Sequence, residues 1–181
     1  MYDWNLNYVT KQLPIFTATL DNCQEFNEYL KETILEHRMN NPTTTTTMKT
    51  NVNAWHSSYR TYRENPKFQS LIDLIESGCN DLSKSFLEAK TTTYRVYNLW
   101  AMMYDENDYT VEHHHFPATF SCCYYVDVDD NCSPIIFEND FELQPKNGLL
   151  ALWLGSINHK VLPTNSKRMC ISANILPTYT I

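Results

Sequence analysis

The chain has 181 residues, 43% of them hydrophobic and 19% charged, with only three glycines. That is enough for one domain with a full core, short for two, and unlike a repeat or low-complexity sequence. A formal charge of −7, with Lys and Arg scattered rather than banded, offers no footprint for a phosphate backbone, so direct nucleic-acid binding is not expected. No run approaches 18 apolar residues, and "MYDWNLNYVTKQL" has neither a basic n-region nor an apolar h-region, so a soluble cytoplasmic protein without a membrane partner is expected.

In chain order, "LPIFTATL" (13–20) reads as an extended entry segment. Asp21 begins a helix with a capping-box-like Asp21-x-x-Gln24 start, carrying Phe26, Leu30 and Ile34 at every fourth position and ending near "RMNNP". The polar, β-branched stretch 43–58 has no helical period and reads as a loop, a candidate lid over a site. A second helix starts around Asn65-Pro66 and places Phe68, Leu71, Ile72, Ile75, Cys79, Leu82 and Phe86 on one stripe.

From Thr91 onward the period shortens toward two. Strands are predicted over 92–104, 119–128, 134–137, 149–154 and 168–176, with a turn at Asn147-Gly148. Strands in succession without helices between them pair antiparallel. The fold class expected is therefore mainly β with flanking helices: N-terminal helices packed on an antiparallel sandwich or barrel, helix-rich over 1–90 and β over 91–181.

The six cysteines (Cys23, Cys79, Cys122, Cys123, Cys132, Cys170) contain no C-x-x-C pair and read as reduced core residues.

In "RMCISANI" strict alternation puts Arg168, Cys170, Ser172 and Asn174 on one face and Met169, Ile171, Ala173 and Ile175 on the other. If the apolar face meets the helices, a guanidinium points into the barrel. A buried arginine needs an anion, and no acidic residue is near it in sequence, so the anion is a candidate ligand.

The run His113-His114-His115 lies just before the tyrosine-rich strand. A solvated loop explains three imidazoles as well as a site does unless partners exist elsewhere. On extended chain, residues i and i+2 share a side, so His113 and His115 can face one metal ion while His114 points away. His159 follows 44 residues after His115, and Arg168 nine after that, room enough for the chain to turn and run back beside the metal.

Trp100, His113-x-His115, Ser121, Tyr124-Tyr125, Pro145 with Gly148, His159, and Arg168 with Ser172 and Asn174 together resemble the iron(II)/2-oxoglutarate-dependent oxygenase superfamily. More narrowly they resemble a small group of oxygenase-like proteins known mainly from marine bacterial and phage genomes, in which the pattern runs H-x-H-P-x-S-x-x-S-G-x-Y-Y and later R-x-S-x-S-x-N. "NVNAWHSS" is similar to that group's W-Q-S segment and "LPIF" to its opening. Departures are Pro117 one position late, Cys122 for glycine, Cys170 for serine, and Ala101 or Met102 where asparagine is frequent.

The resemblance implies a double-stranded β-helix (a jelly roll) over 1–181, with Fe(II) at one open end held by His113, His115 and His159. His115 stands where relatives keep a carboxylate, so Glu112 or an acid from a following strand is the alternative third ligand. Arg168 would pair with the distal carboxylate of the cosubstrate 2-oxoglutarate, with Ser172, Asn174, Ser121 and Tyr125 (or its neighbour Tyr124) as helpers. Trp100 and Trp153 read as packing.

The implied activity is a dioxygenase that uses O2 and 2-oxoglutarate, releases succinate and CO2, and hydroxylates an unidentified substrate. Rival readings are a three-histidine, cofactor-independent dioxygenase of the thiol-oxidising type, a zinc module, and a non-catalytic metal-binding jelly roll.

Overall fold

The computed structural model describes residues 12–42, 51–86, 92–138 and 141–178. Strand β1 (Ile15–Thr19) leads into helix α1 (Gln24–Asn40). Two short strands, β2 (Val52–Asn53) and β3 (Trp55–His56), precede a single helical turn α2 (Thr61–Glu64). A 3₁₀ turn (Pro66–Phe68) then runs into α3 (Gln69–Phe86). The remainder is β: β4 (Thr93–Tyr104), β5 (Tyr109–His113), β6 (Phe120–Val128), β7 (Ile135–Phe137), β8 (Phe141–Leu143), β9 (Leu149–Leu154), β10 (His159–Val161) and β11 (Arg168–Thr178).

The strands form two sheets, a larger one ordered β1-β9-β6-β11-β4-β3 and a smaller one ordered β2-β5-β10-β7-β8. Every pairing between these strands is antiparallel. This is the jelly-roll architecture expected. No helix among the described residues is long and apolar enough to cross a membrane.

Alternation along the central strands divides the interior. Met169, Ile171, Ala173 and Ile175 of β11, with Cys122, Tyr124 and Val126 of β6 and Leu99 and Ala101 of β4, pack against α1 and α3 in one core. Cys170 of β11, Cys123 and Tyr125 of β6, and Trp100, Met102 and Tyr104 of β4 lie in a second core between the sheets. The helix stripe falls as predicted, with Phe68, Leu71, Ile72, Ile75 and Cys79 buried and Leu82 packed at the edge. The Phe86 side chain is outside the described ones. All six cysteines are free and buried.

Three expectations need correction. Helix α1 starts at Gln24 with Cys23 at its N-cap and no side-chain cap, rather than at Asp21. Residues 21 and 22 are used by a turn, Asn22 at φ 52°, that lets Leu20 N–H donate to Gly148 O at 2.9 Å. Closing β1 onto the β9 edge thus wins over the local capping box. Next, the predicted loop at 43–58 is not one unit: residues 43–50 lie outside the described residues, while 51–58 enter both sheets through β2 and β3. Trp55, His56 and Ser57 are buried, so this part is wall rather than lid. Two-residue strands are too short to show alternation, which is why the sequence reads as loop. Finally β5, β8 and β10 were not anticipated as strands, the last two being three residues each.

Candidate functional site

Antiparallel register places His113, the last residue of β5, directly opposite His159, the first of β10. Their ring centroids are 4.4 Å apart. His115 lies two residues further along, where its backbone N–H donates to Gly155 O at 2.7 Å. That bond brings its ring centroid within 4.9 Å of His113 and 5.0 Å of His159. One ring nitrogen from each of the three lies within 4.8 Å of the others, and this is a metal-sized triangle with no carboxylate in it. Glu112 is exposed, pairs with Lys160 at 3.6 Å and is not part of the triangle. His114 is exposed, its Nδ1 accepting from Phe116 N–H at 3.2 Å, the bystander expected from i, i+2 geometry.

The tautomers are set from the backbone. His113 Nδ1–H donates to Val111 O at 2.8 Å and His159 Nδ1–H to Ile157 O at 3.1 Å, leaving each Nε2 as an unprotonated donor atom. His115 Nε2 meets His159 Nε2 at 3.2 Å. Burial, then the proximity of His113 and His114, pushes His115 down to about 3. Burial likewise lowers His113, and it lowers His159 well below the ordinary value. All three are neutral imidazoles at pH 7, the form that binds a metal ion. The donor set therefore fits a divalent cation such as Fe(II).

Arg168 is the other pole. It is 2% exposed and lines the same cavity, a space of about 360 Å³ between the sheets. Its Nη1 donates to Ser133 O at 3.0 Å and its Nη2 to the Tyr125 hydroxyl at 3.2 Å, while Nε has no partner. The guanidinium stacks between the rings of Tyr104 and Tyr125, 5.3 and 5.1 Å from their centroids. Burial opposes its charge, but the Tyr125 phenol, the Cys170 thiol and the Tyr104 phenol around it favour the charged form, and its pKa is raised. Two of five N–H donors are used and no described carboxylate reaches it, so a buried cation is short of an anion.

Of the other residues predicted for the site, Tyr125 touches Arg168, and Ser172 lines the wall between Arg168 and the histidines. Ser121 and Asn174 instead bond to each other, Oγ to Oδ1 at 2.7 Å, six residues up β11 from Arg168. At roughly 3.3 Å per residue that is about 20 Å, too far for Asn174 to share one carboxylate with Arg168. Trp100 and Trp153 pack as expected, yet each does so on the triad, Trp100 5.7 Å from His115 and Trp153 4.9 Å from His159 by ring centroid.

Sequence reasoning missed His56 and Asn98, both in the cavity wall. His56 stacks on Trp100 at 5.9 Å and 17°, and burial pushes it down to about 4. Only its position beside Trp55 in the segment similar to W-Q-S could have signalled it.

No protein-family model matches the sequence, and no curated protein matches it by sequence. Solved structures do match. The carbocyclase SnoK of nogalamycin biosynthesis, described as non-heme and alpha-ketoglutarate-dependent, aligns at TM-score 0.73 and 11% identity over 92% of this chain and 82% of its own. A Trichoplax adhaerens prolyl hydroxylase bound to a hypoxia inducible factor peptide fragment aligns at 0.67 and 14% over 90% and 83%. The viral collagen prolyl hydroxylase of Paramecium Bursaria Chlorella virus-1, solved as a 2OG complex, aligns at 0.62 and 13% over 89% and 94%. At such identities the likeness is one of fold. The chain has the double-stranded β-helix fold of the iron(II)- and 2-oxoglutarate-dependent oxygenases, the superfamily that its histidine and arginine pattern resembles.

Proposed function

We propose that residues 1–181 form one oxygenase domain that uses Fe(II), 2-oxoglutarate and O2 to hydroxylate a substrate not yet identified. The observation that carries this reading is the pairing, in one cavity, of three converging neutral imidazoles with a buried arginine that lacks an anion. His113, His115 and His159 would hold the iron, and Arg168, with Tyr125 and Ser172, the distal carboxylate. Bound there, the iron supplies the oxidative decarboxylation of 2-oxoglutarate to succinate and CO2 coupled to insertion of oxygen into a C–H bond.

The chain's own part is to fix and exclude. The Val111 and Ile157 carbonyls lock two of the imidazoles as Nε2 donors. The guanidinium, immobilised between two phenol rings, orients a diacid at no further cost in side-chain ordering. Trp100, Trp153 and Phe137 wall the triad on its interior side and keep water from it. Six unpaired, buried thiols support a reducing, intracellular setting.

A second reading, the three-histidine thiol-oxidising dioxygenase, is favoured by the absence of any carboxylate from the metal triangle. It leaves Arg168, which no described carboxylate reaches, without a role. Anaerobic titration of Fe(II) and then 2-oxoglutarate separates the two: the oxygenase reading expects a metal-to-ligand charge-transfer band in wild type that weakens in Arg168→Ala. Wild type without that band removes 2-oxoglutarate from the site, and iron-dependent thiol oxidation without succinate would install the alternative.

A further inference from the structure

The cavity has two ends. Arg168 marks the inner one, and at the outer one Asn98 of β4 and Asn174 of β11 face each other as direct cross-strand partners. Their amides do not bond to one another. Asn98 Oδ1 is buried without a partner. Asn174 Oδ1 accepts from the Ser121 hydroxyl at 2.7 Å, which leaves Nδ2 as the donor end of that amide. An unmade acceptor on Asn98 and the amide donor of Asn174 therefore stand on directly opposite residues, and a buried acceptor left unsatisfied costs on the order of 1–3 kcal/mol until something pairs with it.

A further buried acceptor lies along the same wall. His56 is 1% exposed, and its Nδ1–H is given to Ser57 O at 2.5 Å, so Nε2 presents a lone pair that nothing meets. Around these polar atoms the surface is aromatic: Trp100 is buried, while Tyr97 and Phe116 remain 59% and 73% exposed at the rim. Among the described lining residues Arg168, at the other end, is the one Lys, Arg, Asp or Glu side chain.

We propose that the outer end is the substrate subsite and takes a neutral group presenting an N–H and a C=O from one edge, a primary carboxamide or a lactam, read by Asn98 and Asn174 as a pair. Neutrality follows from the wall, because a charged group buried there would find no counter-charge. The single edge follows from the register. In a trans peptide bond the N–H and C=O point in opposite directions, so only one of them would face two side chains that stand opposite each other on one sheet face. The flat aromatic surround suits a planar amide. Calling this group part of the oxidised substrate rests on the oxygenase reading; the subsite itself does not.

The test uses benzamide as open carboxamide, 3,4-dihydroisoquinolin-1-one as lactam, and methyl benzoate and benzoate as controls that lack the N–H or carry a charge. With the full chain, Mn(II) and 2-oxoglutarate, paramagnetic relaxation of the probe protons reports binding near the metal. In the metal-free chain, side-chain amide ¹⁵N–¹H resonances of Asn98 and Asn174 report the subsite directly.

The expected result is that one or both amides shift the Asn98 and Asn174 signals and are held about tenfold more strongly than methyl benzoate, as loss of one hydrogen bond that leaves the buried Asn98 acceptor unsatisfied predicts. The stronger of the two identifies the open or the ring source. Asn98→Leu and Asn174→Leu should each bring the amides toward the ester's level. Ester or benzoate binding equal to the amides, or an amide preference surviving both leucine variants, overturns the proposal. Amide shifts without Mn(II) capture by the chain would instead sink the oxygenase reading and leave the carboxamide subsite standing.

Discussion

His115 Nε2 and His159 Nε2 stand 3.2 Å apart on rings that reach the cavity from a loop and from a strand. Held neutral by burial, the histidines of this cavity make stability pH-dependent. In the unfolded chain they titrate near the ordinary value, whereas in the fold His115 is pushed down to about 3 and His56 to about 4. Above pH 6.5 both states are neutral and the full stability is present. Below it the unfolded chain takes up protons the folded chain refuses, and each such histidine removes about 1.4 kcal/mol per pH unit until its folded pKa is reached. Denaturant unfolding of the metal-free protein at pH 7, 6 and 5 should show a progressive loss, and a flat profile would contradict the assigned burial.

Metal capture should depend on three of the triplet-and-partner histidines and not on the fourth. Alanine at His113, His115 or His159 is expected to weaken Fe(II) or Mn(II) binding by about 100-fold, one ligand's share of a multi-ligand site. His114→Ala should leave it within about twofold, because that ring is turned to solvent. Calorimetric titration of the four variants distinguishes an H-x-H site from a diffuse histidine cluster.

Gly155 is where the His115 loop is pinned. A Cβ there would lie 2.2 Å from the Ala118 carbonyl oxygen, a backbone atom with nowhere to go. The neighbouring bonds, Gly155 O to His115 N–H and Gly155 N–H to Thr119 O at 3.0 Å, would have to open together. Gly155→Ala is expected to cost about 2 kcal/mol in stability and about tenfold in metal affinity. Equal metal affinity in the variant would show that the loop does not position His115.

Arg168 without an anion is a liability that the fold carries. Arg168→Met should raise the stability of the ligand-free protein by about 1 kcal/mol, since a buried cation short of a counter-ion is replaced by an apolar chain of similar length. Addition of 2-oxoglutarate with metal should then reverse the order, stabilising wild type by about 2.7 kcal/mol at a hundredfold excess over Kd and leaving the variant unmoved. Thermal melts of both proteins with and without the diacid suffice.

The features that strict periodicity governs were legible in the sequence. β11 alternates without fault, so its split into a helix face and a cavity face, and hence the burial of Arg168, followed from eight letters. The H-x-H geometry and the separation to His159 were legible for the same reason. What resisted reading is set by tertiary pairing. His159 heads a three-residue strand whose neighbours, not its own pattern, make it β. His56 looked like part of a polar loop because its two-residue strand exists only as an edge on β4. Asn98 follows Tyr97 at an irregularity in the β4–β11 register, where alternation no longer says which face a residue takes.

Tyr124 and Tyr125 are chain neighbours on β6 whose hydroxyls leave in opposite directions. One donates to Asn27 of α1 at 2.7 Å and the other accepts from Arg168 at 3.2 Å. The same Asn27 also donates to Val126 O at 2.8 Å, so α1 grips the strand at two adjacent points. The outer helix is thus wired, through two consecutive residues of one strand, to the arginine at the cavity floor. A change on the outside of the barrel at Asn27 therefore acts on the strand whose next residue, Tyr125, accepts from Arg168 inside it.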